Sequence, residues 1–125
     1  MIYSYEFTQP VFVTSRVFIE HDANGKGKVT FERKSAGEPI TDPIEISTEV
    51  WARIKSLWAG LNFLDSTTNY QTDRSYAHLG TMRLSMKQGT KQRTVEFNWT
   101  NDKKAFELVN EYRRMGEQTM FIFDV

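Results

Sequence analysis

The sequence predicts an α+β fold: an antiparallel sheet of about five to seven strands with two helices packed on one face. Two observations predict it. A polar-tipped hairpin signal followed by an amphipathic helix occurs twice along the chain, and each helix needs an apolar partner surface that a half-buried sheet supplies. The recurrence also suggests an internal strand–strand–helix duplication. With 125 residues, the chain is expected to form a single α+β domain covering positions 1–125.

The first half begins with Tyr3, Tyr5 and Phe7, which alternate with polar residues as in a half-buried strand. In helix one, apolar residues recur at helical spacing, and Leu57 is expected at the centre of that stripe, facing the sheet. Gly60 is expected to end the helix. In chain order the predicted elements are strand 11–19, the turn Asn24-Gly25, strand 29–31, a loop over 35–43, a brief extended segment at 44–46 and the helix Ser47–Ala59.

The second half repeats the hairpin and the helix. Ala105, Leu108, Val109 and Tyr112 form the apolar stripe of helix two. In chain order the predicted elements are strand 81–86, a turn at 88–90, strand 95–97, the helix Asn101–Met115 capped by Thr100 or Asn101 and ended by Gly116, and an inner strand over 119–125. Arg113 and Arg114 are expected at the end of this helix, where cations complement its negative pole.

The composition excludes several function classes. Sixteen basic and sixteen acidic residues cancel to a net charge of zero, which argues against a nucleic-acid partner. Without cysteine, the chain has no disulfides, thiolate zinc sites or cysteine nucleophiles. No apolar run is long enough to insert into a membrane, and no cofactor or metal motif is present. We therefore expect a soluble protein, cytoplasmic by default or exported if Met1 replaces a cleaved leader.

One face of the predicted sheet carries charges of both signs. Such residues on neighbouring strands usually form solvated cross-strand pairs, although an uncovered sheet face can also serve as a binding platform. The outward-facing charged residues are Arg16, Glu20, Lys28, Glu32, Arg83, Lys87 and Glu96.

Three local features are interpreted as structural. The segment from Asp22 to Val29 begins like an EF-hand loop, but Lys26 and Arg33 occupy positions where calcium needs oxygen ligands, so a hairpin turn is predicted. His21, beside that turn, is expected to be exposed. Trp51 and Trp58, one heptad apart, are expected to pack between helix and sheet rather than to form a cofactor platform.

The connection from Asn62 to Gly80 is the candidate functional site. Loops longer than about 12–15 residues are uncommon and often functional. This one concentrates carboxylates, an arginine, two tyrosines and a histidine, and it could also simply pin itself across the sheet through its tyrosines. The candidate binding residues are Asp65, Tyr70, Asp73, Arg74, Tyr76 and His78.

Catalytic and metal interpretations of the same loop have little support. A Ser-His-Asp set can be written with Ser66 or Ser75, His78 and Asp73, but no nucleophile-elbow glycine pattern accompanies it. A metal site of Asp65, Asp73 and His78 lacks a recognisable ligand spacing. No catalytic residue and no metal ligand is therefore predicted.

The order of several segments resembles small uncharacterised bacterial α+β domains, which are often exported. These segments are the first hairpin, Asp42–Ser47, the first helix, Phe63–Asp65, the loop with Tyr70 and a second hairpin ending at Val95–Asn98. The layout is also similar in outline to β-lactamase-inhibitor-like modules. No inhibitor residue finds a counterpart, so the resemblance implies a fold and no functional residue.

These observations favour a binding or interaction domain without catalytic activity. Its contact surface would be the loop from Asp65 to His78 with the neighbouring sheet face, and its partner a protein or a small ligand. The alternative is a small hydrolase or ligand-processing enzyme that uses Asp65, Asp73 and His78 around a pocket beneath the loop. The two differ in geometry, because acid–base partners must approach within hydrogen-bonding distance of a substrate. The oligomeric state is not predicted.

Overall fold

Six antiparallel strands form one open sheet in the computed structural model, which describes residues 1–11, 14–34, 37–73 and 76–123. The strand order is β4-β3-β2-β1-β5-β6, and the predicted α+β fold is confirmed. The elements are β1 Ile2–Thr8, β2 Thr14–Asp22, β3 Lys26–Arg33, β4 Ile40–Glu45, α1 Thr48–Leu61, a 3₁₀ turn Ala77–Leu79, β5 Thr81–Gln88, β6 Lys91–Phe97 and α2 Lys103–Phe123.

Both helices pack on the same face of the sheet, as predicted. Tyr3 and Tyr5 point to one side of β1; Tyr3 contacts the ring of Trp51 from α1, and Tyr5 stacks on Tyr112 from α2. Alternation along each strand therefore separates a buried face from an open one. The buried side chains on the covered face are Tyr3, Tyr5, Ile19, His21, Val29, Phe31, Leu84, Met86 and Phe97.

The hairpin turns form where the sequence predicts them. Gly25 adopts φ 78° and Gly89 φ 58°, backbone conformations that favour glycine. In the first turn, the Asp22 carboxylate accepts hydrogen bonds from the backbone N–H groups of Asn24 and Lys26, at 2.8 and 3.0 Å. These two donors lower the pKa of Asp22, and the segment is a turn rather than a calcium loop.

Two strand boundaries differ from the prediction. Val11, the predicted start of the second strand, is in a turn with 69% of its surface exposed; β2 is described from Thr14, and residues 12 and 13 lie outside the described residues. The predicted loop at 35–43 contains a further strand, because β4 begins at Ile40 and pairs Pro43 with Lys28. Proline is tolerated there because β4 is the outermost strand and that position needs no donor.

Helix α1 is rotated and extended relative to the prediction. Ser47 caps it as expected, accepting a hydrogen bond from the N–H of Val50 at 3.3 Å. Its buried residues are Ile54, Trp58 and Leu61, whereas Leu57 is only partly buried at the margin of the core. The expectation that Leu57 faces the middle of the core is therefore wrong. The helix also passes through Gly60 and ends at Leu61, and its C-cap residue Asn62 adopts the left-handed conformation with φ 47°.

Helix α2 continues through residues 119–123, where a terminal strand was predicted over 119–125, so that strand and the helix end at Gly116 are wrong; residues 124 and 125 lie outside the described residues. Asp102, rather than Thr100 or Asn101, caps the helix by accepting from the Ala105 N–H at 3.0 Å. Gly116 is buried, and a Cβ there would lie 3.2 Å from the Val17 side chain. The glycine thus permits a close approach of α2 to β2 instead of ending the helix.

A consequence of the longer helix is that two arginines expected at its end lie within it. Arg113 is 3.9 Å from Glu117, and Arg114 is 3.3 Å from Glu111. Both are therefore several turns away from the negative pole of the helix, and neither complements it.

A buried hydrogen-bonded network joins the sheet to both helices. His21, predicted to be exposed, is 1% exposed. Its Nδ1–H donates to the Asp22 carbonyl at 2.8 Å, and its Nε2 accepts from the Tyr112 hydroxyl at 2.6 Å. The same hydroxyl oxygen accepts from Trp58 Nε1–H at 2.9 Å. Burial lowers the pKa of His21 and raises that of Tyr112, so both groups are neutral.

Aromatic contacts surround this network. Tyr3 stacks on the His21 ring with centroids 5.1 Å apart, and Trp51 meets the same ring edge-on at 5.0 Å. The prediction that Trp51 and Trp58 pack between helix and sheet is confirmed.

The open face of the sheet carries a row of alternating charges. Glu6 on β1 contacts Arg16 on β2 at 2.8 Å and Arg83 on β5 at 3.5 Å. Arg16 reaches Glu32 on β3 at 3.6 Å, and Arg83 reaches Glu96 on β6 at 2.6 Å. Of the charged residues predicted on this face, Arg16, Glu32, Arg83 and Glu96 therefore form ion pairs across the strands, and Glu6 links them.

Neither helix, over the residues the structure describes, combines the length and the hydropathy needed to span a bilayer.

Candidate functional site

The predicted loop runs along the outer side of β6 and is tied to it at both ends. Near its start, Lys91 pairs with Asp65 at 3.4 Å, and the Arg93 guanidinium donates to the carbonyls of Phe63 and Thr68 at 2.8 and 2.6 Å. The loop therefore contacts β6 mainly through side chains.

Further along, Gln71 and Asn98 fasten the loop beyond the end of β6. The Asn98 N–H donates to the Gln71 side chain at 2.9 Å, and the Gln71 amide donates back at 3.0 Å. Asn98 also accepts from the Tyr76 N–H at 2.9 Å. The loop thus contacts the strand near its start, at Lys91 and Arg93, and just beyond its end, at Asn98.

Tyr70 anchors this loop in the core. It is 4% exposed, its ring lies parallel to Phe63 and near Phe97, and the Arg93 guanidinium sits 5.5 Å from its centroid. Its hydroxyl is the one buried side-chain polar atom without a hydrogen-bond partner in the described part of the chain. Tyr70 therefore serves as the structural anchor considered above.

The acidic residues and the histidine of the loop do not converge. Asp65 pairs with Lys91 at the start of β6, whereas the His78 ring packs near Tyr76 beyond the end of that strand. Seven residues of extended strand separate these points by about 20 Å. Asp73 is exposed. Within the described ranges no three His, Asp or Glu side chains could hold a metal, and Arg74, like Ser75 of the possible triad, lies outside those ranges.

The end of the loop does contribute to an exposed aromatic cluster. The Tyr76 ring lies 5.3 Å from Trp99, and Trp99 lies 6.0 Å from Phe106 of α2. Trp99, Phe106 and Leu79 are 37%, 41% and 46% exposed. We call Tyr76, Leu79, Trp99 and Phe106 the aromatic rim.

The aromatic rim borders a cleft between α2 and the sheet. The cleft has two adjoining chambers of about 420 and 250 Å³, and Tyr5, Phe7 and Arg113 line both. The larger chamber is completed by Thr14, Val17, Gly116 and Glu117. The smaller chamber is completed by Leu79, Met82, Phe97, Asn98, Trp99, Thr100, Phe106, Val109 and Asn110. Chambers of this size and apolar character suit a small ligand.

Gly80 sets the path of the chain from the end of the loop into β5. It adopts φ 104°, and a Cβ at this position would lie 2.6 Å from the Phe7 ring. The glycine therefore lets the chain turn tightly over Phe7, which brings Leu79 and the loop end to the mouth of the smaller chamber.

The electrostatics of the cleft centre on Tyr5 and Arg113. Burial is the main cause that raises the pKa of Tyr5, while the Arg113 cation opposes the rise and the Glu117 carboxylate adds to it. The Tyr5 hydroxyl is therefore neutral. Arg113 places a positive charge on largely apolar walls. Glu117 places a negative charge at the edge of the larger chamber.

Sequence reasoning identified the loop end but missed most of the cleft. Phe106 directly follows Ala105 of the buried stripe, so it lies outside that stripe. The helical periodicity could therefore have indicated that this aromatic side chain is exposed. Arg113 was assigned to a helix end. The cleft itself depends on where α2 crosses β1 and β2, which no local pattern reports.

No protein-family model matches the chain, and no curated protein matches it significantly. The site is therefore interpreted from its geometry.

Proposed function

We propose that this protein is a non-enzymatic binding domain that holds a small apolar ligand in the cleft between α2 and the sheet. The observation that carries the proposal is the aromatic rim, where three large apolar side chains remain 37–46% exposed beside an apolar cleft. Contiguous exposed apolar surface next to a cavity is a common mark of a binding site.

The construction of the site supports this role. Tyr5 and Phe7 on a central strand and Val109 and Arg113 on α2 supply the walls, so the cavity is built on regular elements. The loop adds Tyr76 to the rim. A rigid scaffold with recognition residues on a loop is a frequent arrangement in binding proteins.

The open face of the sheet is a less favourable contact surface than the cleft. Two of its arginines and three of its glutamates already pair with one another across neighbouring strands, as between Glu6 and Arg16 at 2.8 Å. A partner would have to replace these pairs, and each exposed pair it gained would contribute little.

A nuclear magnetic resonance screen with small apolar compounds tests the proposal. Amide chemical-shift changes should cluster at the cleft, and Phe106→Ala should weaken binding of each hit. Ile2→Ala is a matched control, because Ile2 and Phe106 are both 41% exposed and Ile2 lies on the open face near the other end of β1. Shifts scattered over the surface, or equal losses in both variants, would contradict the proposed site.

A further inference from the structure

Arg113 is the cation at the junction of the two chambers, and its own contacts are weak. Its nearest acidic partner is Glu117, with 3.9 Å between Arg113 Nε and the carboxylate oxygen. That distance is longer than a hydrogen bond. Both side chains are about 60% exposed, at 61% and 59%, and an exposed pair of this kind contributes little to stability.

Other arginines of the chain are engaged differently. Several donate a hydrogen bond to a carboxylate or a carbonyl, as in Arg16 to Glu6, Arg53 to Glu111, Arg83 to Glu96, Arg93 to Thr68 and Arg114 to Glu111. Arg113 makes no hydrogen bond to any residue in the described ranges. Its planar fork of N–H donors, which matches a carboxylate in geometry, is therefore available.

The surroundings of Arg113 are apolar on both sides. Phe7 and Val17 line the larger chamber, and Phe7, Met82 and Val109 line the smaller one. An uncharged apolar ligand in these chambers would cover the guanidinium without pairing it, which costs free energy. A ligand with one negative charge would pair it, whereas Glu117 at the edge of the larger chamber would repel a more highly charged anion.

We infer that the ligand is a small amphipathic monocarboxylic acid, whose apolar chain fills the cleft and whose carboxylate pairs with the Arg113 guanidinium. This inference rests on the proposed function and specifies its ligand class. The Tyr5 side chain lines both chambers beside Arg113, and its hydroxyl provides a second donor for the same carboxylate.

Calorimetric titration with octanoate and with octanol tests the inference, since the two probes share their apolar chain and differ in the head group. At neutral pH the wild-type protein should bind octanoate about tenfold to a hundredfold more tightly than octanol, the range expected for a hydrogen bond to a charged group. Arg113→Gln should remove this preference, chiefly by weakening octanoate binding about tenfold to a hundredfold.

Two further variants sharpen the test. Arg114→Gln is the matched control, because Arg114 is the next residue, is also 61% exposed and is not among the residues that line either chamber. It should retain the preference for octanoate. Glu117→Gln removes the competing carboxylate and should tighten octanoate binding more than octanol binding.

The outcomes separate the inference from the proposed function. Equal binding of the two probes by the wild type, or a preference that survives in Arg113→Gln, would overturn the inference and leave an apolar binding site. If neither probe binds but the resonance screen finds other ligands in the cleft, the inference fails and the proposed function stands. If both experiments find no ligand in the cleft, both fail.

Discussion

The hydrogen-bonded network of His21, Tyr112 and Trp58 leads to a sharp prediction for Tyr112→Phe. The substitution removes one hydroxyl, which both donates to His21 Nε2 and accepts from Trp58 Nε1–H. Two buried polar groups then lose their partner. Each such loss costs about 1–3 kcal/mol, so the free energy of unfolding should fall by about 2–6 kcal/mol. Against a typical total of about 5–15 kcal/mol, the variant would be markedly less stable.

Tyr5→Phe is the matched control for this experiment. Tyr5 is also a buried tyrosine, at 2% exposure against 0% for Tyr112, and the two rings stack with centroids 5.4 Å apart. The Tyr5 hydroxyl makes no hydrogen bond to a described residue. Removing it should therefore change the free energy of unfolding by less than about 1 kcal/mol.

Urea denaturation followed by circular dichroism measures both variants. The midpoint should shift strongly for Tyr112→Phe and slightly for Tyr5→Phe, with the denaturant slope unchanged in each. If the two variants lose similar amounts of stability, the network does not stabilise the fold as argued, and His21 and Trp58 must find other partners.

Three further predictions concern stability. Because burial lowers the pKa of His21, the unfolded chain takes up a proton at His21 more readily than the folded one. The free energy of unfolding, measured by urea titration at a series of pH values, should therefore fall as pH drops through about 6.5. His21→Gln should reduce this dependence of the unfolding free energy on pH. Ile54→Ala, at a position with 0% exposure, should lower the free energy of unfolding by about 2–5 kcal/mol in denaturant melts. The loss should be clearly larger than that of Leu57→Ala at the core margin, and equal losses would mean that α1 is oriented differently. Glu6→Gln should lower the free energy of unfolding by about 1 kcal/mol at low ionic strength and by less in high salt. The control Glu107→Gln, on the exposed side of α2, should change this free energy little at either ionic strength.

Local patterns were sufficient for most of the fold. Alternation identified β1, β5 and β6, glycine-containing turns located both hairpins, and the stripe Ala105–Tyr112 correctly predicted the buried side of α2. These features depend on residues that are close in sequence, and the periodicity of a strand or helix reports them directly.

The errors arise where a distant contact overrides a local signal. Gly116 resembles a helix terminator, but Val17 on β2 occupies the space that a side chain would need. His21 is polar and adjoins a turn, yet its partner Tyr112 lies 91 residues away. Neither partner can be inferred from the neighbouring sequence.

The candidate site was predictable only in part for the same reason. The length and composition of the loop drew attention to Tyr76, which belongs to the aromatic rim, and to His78, which packs near Tyr76. Arg113, by contrast, gains its position from the crossing of α2 over the sheet. Its significance follows from tertiary structure, and its sequence context resembled an ordinary helix end.

The loop along β6 also bears on how the borders of the open sheet are protected. An open sheet has two border strands, and unpaired backbone groups on a border can recruit a strand from another molecule. At the β4 border, Pro43 lacks the N–H that such pairing would need. At the β6 border, the loop held by Arg93 and Asn98 lies beside the strand. A change that frees this loop would therefore be expected to promote aggregation even if the core stayed folded.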